Sequence, residues 1–273
     1  MSMLRQFFFL LLALPGLAAE KIEKFSFHPP PDMQRADLYA VKVAQPRGVL
    51  VLCPGYNGNG ESLVRQPAWQ EFAHQHKLGL VGLSFASDVA LLTHGRGYYY
   101  ASQGSGNLLL AGVRQIYGKD LPLLLYGFSG GAHFTSRFVE WKPTRVIAWC
   151  AYSAGWWDMP QKAEKNPPGI VACGDRDERY GASLMYFKQG RALGKPWLWV
   201  SVPKTGHSVS PPVEEFVRDY FEKILIRHDN SGLWVDIDRK NRVEDAERSN
   251  QPSVTAWLPD AGLLAKWSKI HEP

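Results

Sequence analysis

The sequence predicts an α/β domain built on a mostly parallel central sheet with helices on both faces. Three observations carry that expectation. Continuous apolar runs recur, as in VLVLC at 49–53, LLLY at 123–126 and GIVAC at 169–173, and such runs suit strands buried on both sides. Segments of helical spacing lie between them, for example Leu108, Leu109, Val113 and Ile116. In the stretch LPLLLYGFSGGAHFTSR at 121–137, a buried strand, a very tight glycine turn and a helix follow one another directly.

In chain order, 25–27 and the alternation in 36–43 read as short first strands, separated by the stiff HPPPD at 28–32. Residues 49–53 form the first unbroken strand. The glycine-rich loop PGYNGNG at 54–60 then leads into a helix expected over 61–76. A strand at 79–85 is followed by a Gly- and Tyr-rich loop through Tyr98, Tyr99 and Tyr100, and by a helix at 107–117. After the 123–126 strand and its turn, Phe134 and Phe138 stand four residues apart on a helix. Strands at 146–150, 170–173 and 197–202 and helices at 180–193 and 213–226 complete the alternation. Beyond 228 the chain is polar and irregular, with a last helix expected at 261–270. Trp234, Trp257, Leu263, Leu264 and Trp267 would be exposed unless this tail packs on the domain.

The expected organisation is therefore a leader at 1–19, a domain at 20–228 and an extension at 229–273. Arg5, the apolar run 7–14 and the small residues Ala18 and Ala19 have the order of a secretory signal, which implies export to the periplasm or the exterior. The run is too short to span a bilayer, which takes about 20 residues, so no stable membrane insertion is expected. The 273 residues carry a net charge of +5, but the basic residues are scattered. The densest run, 239–242, is bracketed by Asp236, Asp238, Glu244 and Asp245, a solvated mixed-charge face and not a nucleic-acid patch. Cys53, Cys150 and Cys173 each end an apolar strand. They read as buried free thiols, with a Cys150 to Cys173 bridge as the rival.

The chemistry gathers at strand ends. Gly127 and Gly131 flank Ser129 at i−2 and i+2, where side chains would collide if strand and helix met at a sharp angle. Such a turn lifts the Ser129 hydroxyl clear of the sheet and frees the Gly130 N–H for an oxyanion. A serine hydroxyl is a poor nucleophile until a base takes its proton, and the base must itself be oriented. His207, in a Gly-His loop after a late strand, is the candidate base. The acid comes from Asp175, Asp177 and Glu178. Asp177 is preferred because it sits two residues farther into the loop than Asp175. The 54–60 loop fails as a dinucleotide or phosphate loop, because Leu63 stands where a third glycine is needed and no Lys-Ser/Thr follows. Its expected use is to offer a second N–H, from Tyr56 or its neighbour. Tyr98, Tyr99, Trp156 and Trp157 are candidate walls of a substrate pocket.

CPGYNG after a strand, GFSGGA at the turn, GDRDERY and the later Gly-His together resemble the α/β-hydrolase superfamily, and within it secreted esterases of the polyhydroxybutyrate-depolymerase and dienelactone-hydrolase type. The similarity covers about residues 35–228; where many members carry His-Gly before the oxyanion loop, this chain has Pro54-Gly55. The resemblance implies an α/β-hydrolase fold, with Ser129 as nucleophile, Asp177 as acid, His207 as base and oxyanion donors at Tyr56 and Gly130. It also implies cleavage of a small-molecule or polymeric ester through an acyl-enzyme, with no cofactor and no metal. A serine peptidase on the same fold, or a binding module that keeps the fold without catalysis, are the alternatives.

Overall fold

The computed structural model describes residues 21–227, 232–244 and 250–272, so the expected leader at 1–19 lies outside the described residues. Eight strands form the main sheet: β1 (Ile22–Ser26), β2 (Arg35–Val41), β3 (Gly48–Cys53), β4 (Leu78–Ala86), β5 (Leu123–Phe128), β6 (Val146–Tyr152), β7 (Gly169–Gly174) and β8 (Trp197–Val202). Their order is β1-β2-β4-β3-β5-β6-β7-β8. The first two strands run antiparallel at one edge and the rest are parallel. β3 and β4 are buried along their whole length, the reason their residues are apolar apart from Ser84.

The order also fixes where a site can form. From β3 the chain steps outward to β4 on one side and returns to β5 on the other. The carboxyl ends of β3 and β5 therefore flank a crevice that no crossover fills.

The helices are α1 (Gly60–Val64), α2 (Pro67–Gln75), α3 (Val89–Thr93), α4 (Ser105–Tyr117), α5 (Gly130–Trp141), α6 (Tyr180–Ala192), α7 (Pro211–Ile226) and α8 (Leu264–Ile270). Neighbouring residues of β5 show how both faces are covered. The Tyr126 ring meets Trp69 of α2 at 5.0 Å, while Gly127, pointing the other way, lies against Gly131 of α5. Arg218 of α7 stacks over Trp69, so α7 shares the α2 face.

Three expectations change. The single helix expected at 61–76 is two, because Pro67 has no N–H to continue α1 and begins α2 instead. The loop after β4 contains the short α3, capped by the Asp88 carboxylate on the Ala90 N–H. The tail is not irregular: Leu233–Asp236 (β9), Arg242–Val243 (β10) and Thr255–Leu258 (β11) form a small antiparallel sheet in the order β10-β9-β11. Strands of two to four residues are too short to show a period. The described residues of the tail contact the main body. The Trp267 indole N–H donates to the Trp199 carbonyl at 2.8 Å, and buried Arg191 donates to the Thr255 carbonyl at 2.7 Å.

All three cysteines are buried and free. Cys150 lies opposite Ile170 on the neighbouring strand, three positions short of Cys173, and that offset keeps the two sulfurs apart.

Candidate active site

Ser129 sits between β5 and α5 with φ 53° and ψ −113°, a conformation that is costly for any residue with a Cβ. Its surroundings enforce the turn. The Ser129 N–H donates to the Tyr152 carbonyl at 2.8 Å, and the Ala132 and His133 N–H groups both donate back to the Ser129 carbonyl. A Cβ at Gly131 would stand 1.9 Å from the Cys53 carbonyl oxygen, and one at Gly127 2.3 Å from the Gly131 carbonyl oxygen. Only glycine at both places lets α5 lie so close to β3 and β5.

The three side chains read from the sequence come together. His207 Nε2 lies 2.9 Å from Ser129 Oγ, and His207 Nδ1 lies 2.7 Å from Asp177 Oδ2. A carboxylate can only accept, so Nδ1 carries the proton and Nε2 is left to receive the serine's. The Phe128 ring stacks on the imidazole at 5.0 Å and limits its swing.

Asp177 is 5% exposed, and its second oxygen accepts the Arg179 N–H and guanidinium, each at 3.0 Å. Burial alone raises its carboxyl, but the hydrogen bonds from His207 and Arg179 outweigh that and hold it below its ordinary value. The other two acids stand aside. Asp175 is exposed and accepts only the Thr205 N–H at 3.3 Å, and Glu178 pairs with Arg179 at the surface.

The two expected oxyanion donors are neighbours. A Cβ on Gly130 would fall 2.7 Å from the Tyr56 nitrogen and 2.9 Å from the Tyr98 hydroxyl, so the Tyr56 backbone and the first residue of α5 lie in close contact. No described residue accepts a hydrogen bond from the Tyr56 N–H. The loop that carries it is tied from three sides. Arg35 donates to the Asn57 and Gly58 carbonyls at 2.6 and 3.0 Å. The Asn57 amide exchanges two hydrogen bonds with the Ser87 backbone, both at 3.1 Å. The Asn57 N–H donates to the Tyr98 hydroxyl at 3.1 Å.

The four pocket candidates divide. Trp156 stands at the rim with 48% of its surface exposed. Trp157 turns away and stacks on Tyr186 of α6 at 4.2 Å. Tyr98 and Tyr99 are 4% and 5% exposed and do not form open walls. The Tyr98 N–H bonds the Ser87 hydroxyl at 3.0 Å, which folds the segment inward, and burial drives the Tyr98 phenol well above its usual range.

Sequence reading missed Arg35, Ser87 and His133. Arg35 belongs to an antiparallel strand remote in sequence and carries no local signal. His133 did carry one, a position four residues after Ser129 on the same helix, which places it directly beneath the turn. Among the described residues there is no group of three or more His, Cys, Asp or Glu that could hold a metal ion.

No protein-family model and no curated protein matches the chain. Solved structures do. Fluorophosphonate-binding serine hydrolase F of Staphylococcus aureus, determined with substrate bound, aligns at a TM-score of 0.55 and 13% identity over 77% of this chain and 100% of its own. Esterase PE8 aligns at 0.52 and 19% identity, over 66% and 93%. Acylaminoacyl peptidase of Pyrococcus horikoshii aligns at 0.60 and 14% identity, over 82% of this chain but 44% of that larger one. At such identities the likeness is one of fold, and chemistry has to be argued from the site.

Proposed function

We propose that this chain, which has the α/β-hydrolase fold, is a serine hydrolase that cleaves carboxylic esters through an acyl-enzyme. One observation carries the reading: the hydrogen-bonded series Asp177, His207, Ser129, at 2.7 and 2.9 Å, ends at the turn where the Gly130 and Tyr56 backbones meet. Those are the parts acyl transfer requires. His207 Nε2 takes the Ser129 proton as Oγ attacks the carbonyl carbon, and the Tyr56 and Gly130 N–H groups receive the developing negative charge. The same proton passes from His207 to the departing alcohol. Water then enters and attacks the acyl carbon as His207 takes its proton, and His207 returns that proton to Ser129 Oγ as the acid departs. Asp177, held ionised, keeps the imidazole in the right tautomer and stabilises its transient positive charge.

A fluorophosphonate probe tests the reading directly. Labelling of the wild type that is lost in Ser129→Ala supports it, and absence of labelling in both would favour a binding module. Turnover of acyl esters without release of amino acids from peptides supports the esterase over a peptidase; the reverse pattern overturns it. Export is proposed with it, on the N-terminal sequence at 1–19, and N-terminal sequencing of the mature protein tests that by a new start near Ala19 or Glu20.

A further inference from the structure

The hydrogen bonds around His133 hold one loop far more tightly than a surface loop needs. His133 is buried on α5, one turn beyond Ser129, and the acyl-transfer steps do not use it. Its Nδ1 donates to the Trp156 carbonyl at 3.0 Å, and its Nε2 accepts the Gly155 N–H at 3.3 Å. Arg137, one turn further along, donates to the same Trp156 carbonyl at 3.0 Å and grips the Asp158 carboxylate with two nitrogens at 2.8 and 2.9 Å. The Arg137 guanidinium lies over the Tyr100 ring at 4.4 Å. Burial, with the Arg137 charge beside it, pushes the His133 imidazole down to about 3, so near neutral pH the ring is uncharged and able to serve as donor and acceptor at once.

The clamp sets the position of one side chain. The His133 ring stacks on Tyr99 at 4.6 Å and 16°, and the Trp156 ring leans on both, at 5.3 Å from His133 and 6.3 Å from Tyr99. One side of the indole is thus backed by aromatic rings while 48% of the residue remains in solvent. The segment lies between the parts that do the chemistry. Tyr152, four residues upstream, holds the Ser129 N–H, and the side chain of Arg179, the partner of Asp177, passes 3.3 to 3.5 Å from where a Cβ on Gly155 would be. A large ring kept rigid, backed by other rings and left open on a segment that meets the Asp177 partner is arranged to receive another ring.

We propose that Trp156, positioned by the His133 and Arg137 clamp, is a stacking platform that selects esters carrying a planar aromatic ring. The inference rests on the esterase reading above and names its substrate class. An aliphatic chain gains only contact area from such a surface, whereas a flat ring meets the indole face with matched shape and a complementary quadrupole.

Two pairs of esters matched in carbon skeleton test it: ethyl benzoate against ethyl cyclohexanecarboxylate for a ring on the acyl side, and benzyl acetate against cyclohexylmethyl acetate for a ring on the alcohol side. The quantity read is the aromatic-to-alicyclic ratio of kcat/KM within each pair, which cancels differences in enzyme concentration. From wild type to Trp156→Leu the ratio is expected to fall about tenfold in one pair, the size of one good aromatic contact, and to be largely kept in Trp156→Phe. The pair affected tells which side of the ester stacks. Unmelted variants of unchanged melting temperature, with ratios within about twofold of wild type in both pairs, overturn the inference and leave the esterase reading intact. Loss of all turnover in Trp156→Leu also overturns it, since the ring would then be structural. Failure of the wild type to cleave any of the four esters overturns both.

Discussion

The Tyr98 hydroxyl accepts the backbone N–H of Asn57 at 3.1 Å, so a side chain from the segment after β4 fixes the loop after β3. That loop carries the Tyr56 N–H one residue earlier. Asn57 itself has a φ of 50°, which needs outside support to persist. Tyr98→Phe removes the acceptor and leaves the N–H without it. We expect a stability loss of about 1 to 2 kcal/mol in denaturant unfolding. Ester kinetics should show kcat reduced about tenfold with KM within about twofold, the pattern of a contact used mainly in the transition state. An unchanged kcat would mean that the loop holds its shape without Tyr98.

The two loop aspartates should behave differently. Asp177→Asn cannot accept the Nδ1–H in the same way and favours the wrong tautomer of His207, and a fall in kcat of about 10⁴ is the expected result. Asp175 only accepts the Thr205 N–H at 3.3 Å from an exposed position. Asp175→Asn is expected to change kcat by less than about threefold, in keeping with a surface polar contact. Steady-state kinetics on one ester decides the matter, and equal losses would leave the acid unassigned.

Gly131 tests how closely strand and helix must meet. An added methyl would stand 1.9 Å from the Cys53 carbonyl oxygen, a backbone atom that cannot swing aside. Gly131→Ala is expected to lose about 3 kcal/mol or more, at the upper end of what overpacking costs. Gly181 on α6 has nothing within 4 Å of the same added atom. Gly181→Ala should therefore be neutral or gain up to about 1 kcal/mol through helix propensity. Parallel denaturant melts of the two variants supply the comparison.

Much of this arrangement was legible in the residues. Gly127, Ser129 and Gly131 specify their turn by steric need alone, and the unbroken strands fix a buried parallel sheet. His207 then follows from its place after a late strand, and Asp177 is preferred over its loop neighbours Asp175 and Glu178 for its reach. Contacts between distant segments were not legible. Nothing near Arg35 says that it will reach the Asn57 carbonyl, and nothing in the Tyr98–Tyr99 pair distinguishes an open pocket wall from a buried prop. β9 and β11 were invisible because four residues are too few to show alternation, and their stability comes from packing against β8 and α6.

The buried histidines make stability depend on pH in a predictable direction. His133 is pushed down to about 3, chiefly by burial and then by Arg137, and His271 to about 3, chiefly by burial and then by Lys240. In the unfolded chain both titrate near the ordinary value of about 6.5. Between about 3 and 6.5 the unfolded state therefore binds more protons than the folded one, and stability must fall as pH is lowered through that window. The largest slope is about 1.4 kcal/mol per pH unit for each group, and other titrating groups add to or oppose it. The Asp177 carboxyl, held low, works in the same direction at the acid end, whereas Glu214, raised chiefly by burial, works against it. A single variant separates the His133 share from the rest. His133→Asn removes the titrating ring, so unfolding free energies from urea melts between pH 6.5 and 4 should decline less steeply than in the wild type, by about 1 kcal/mol per pH unit. Parallel curves for the two proteins would show that His133 takes up its proton in the folded state as readily as in the unfolded chain, and that the clamp on Trp156 tolerates a charged ring.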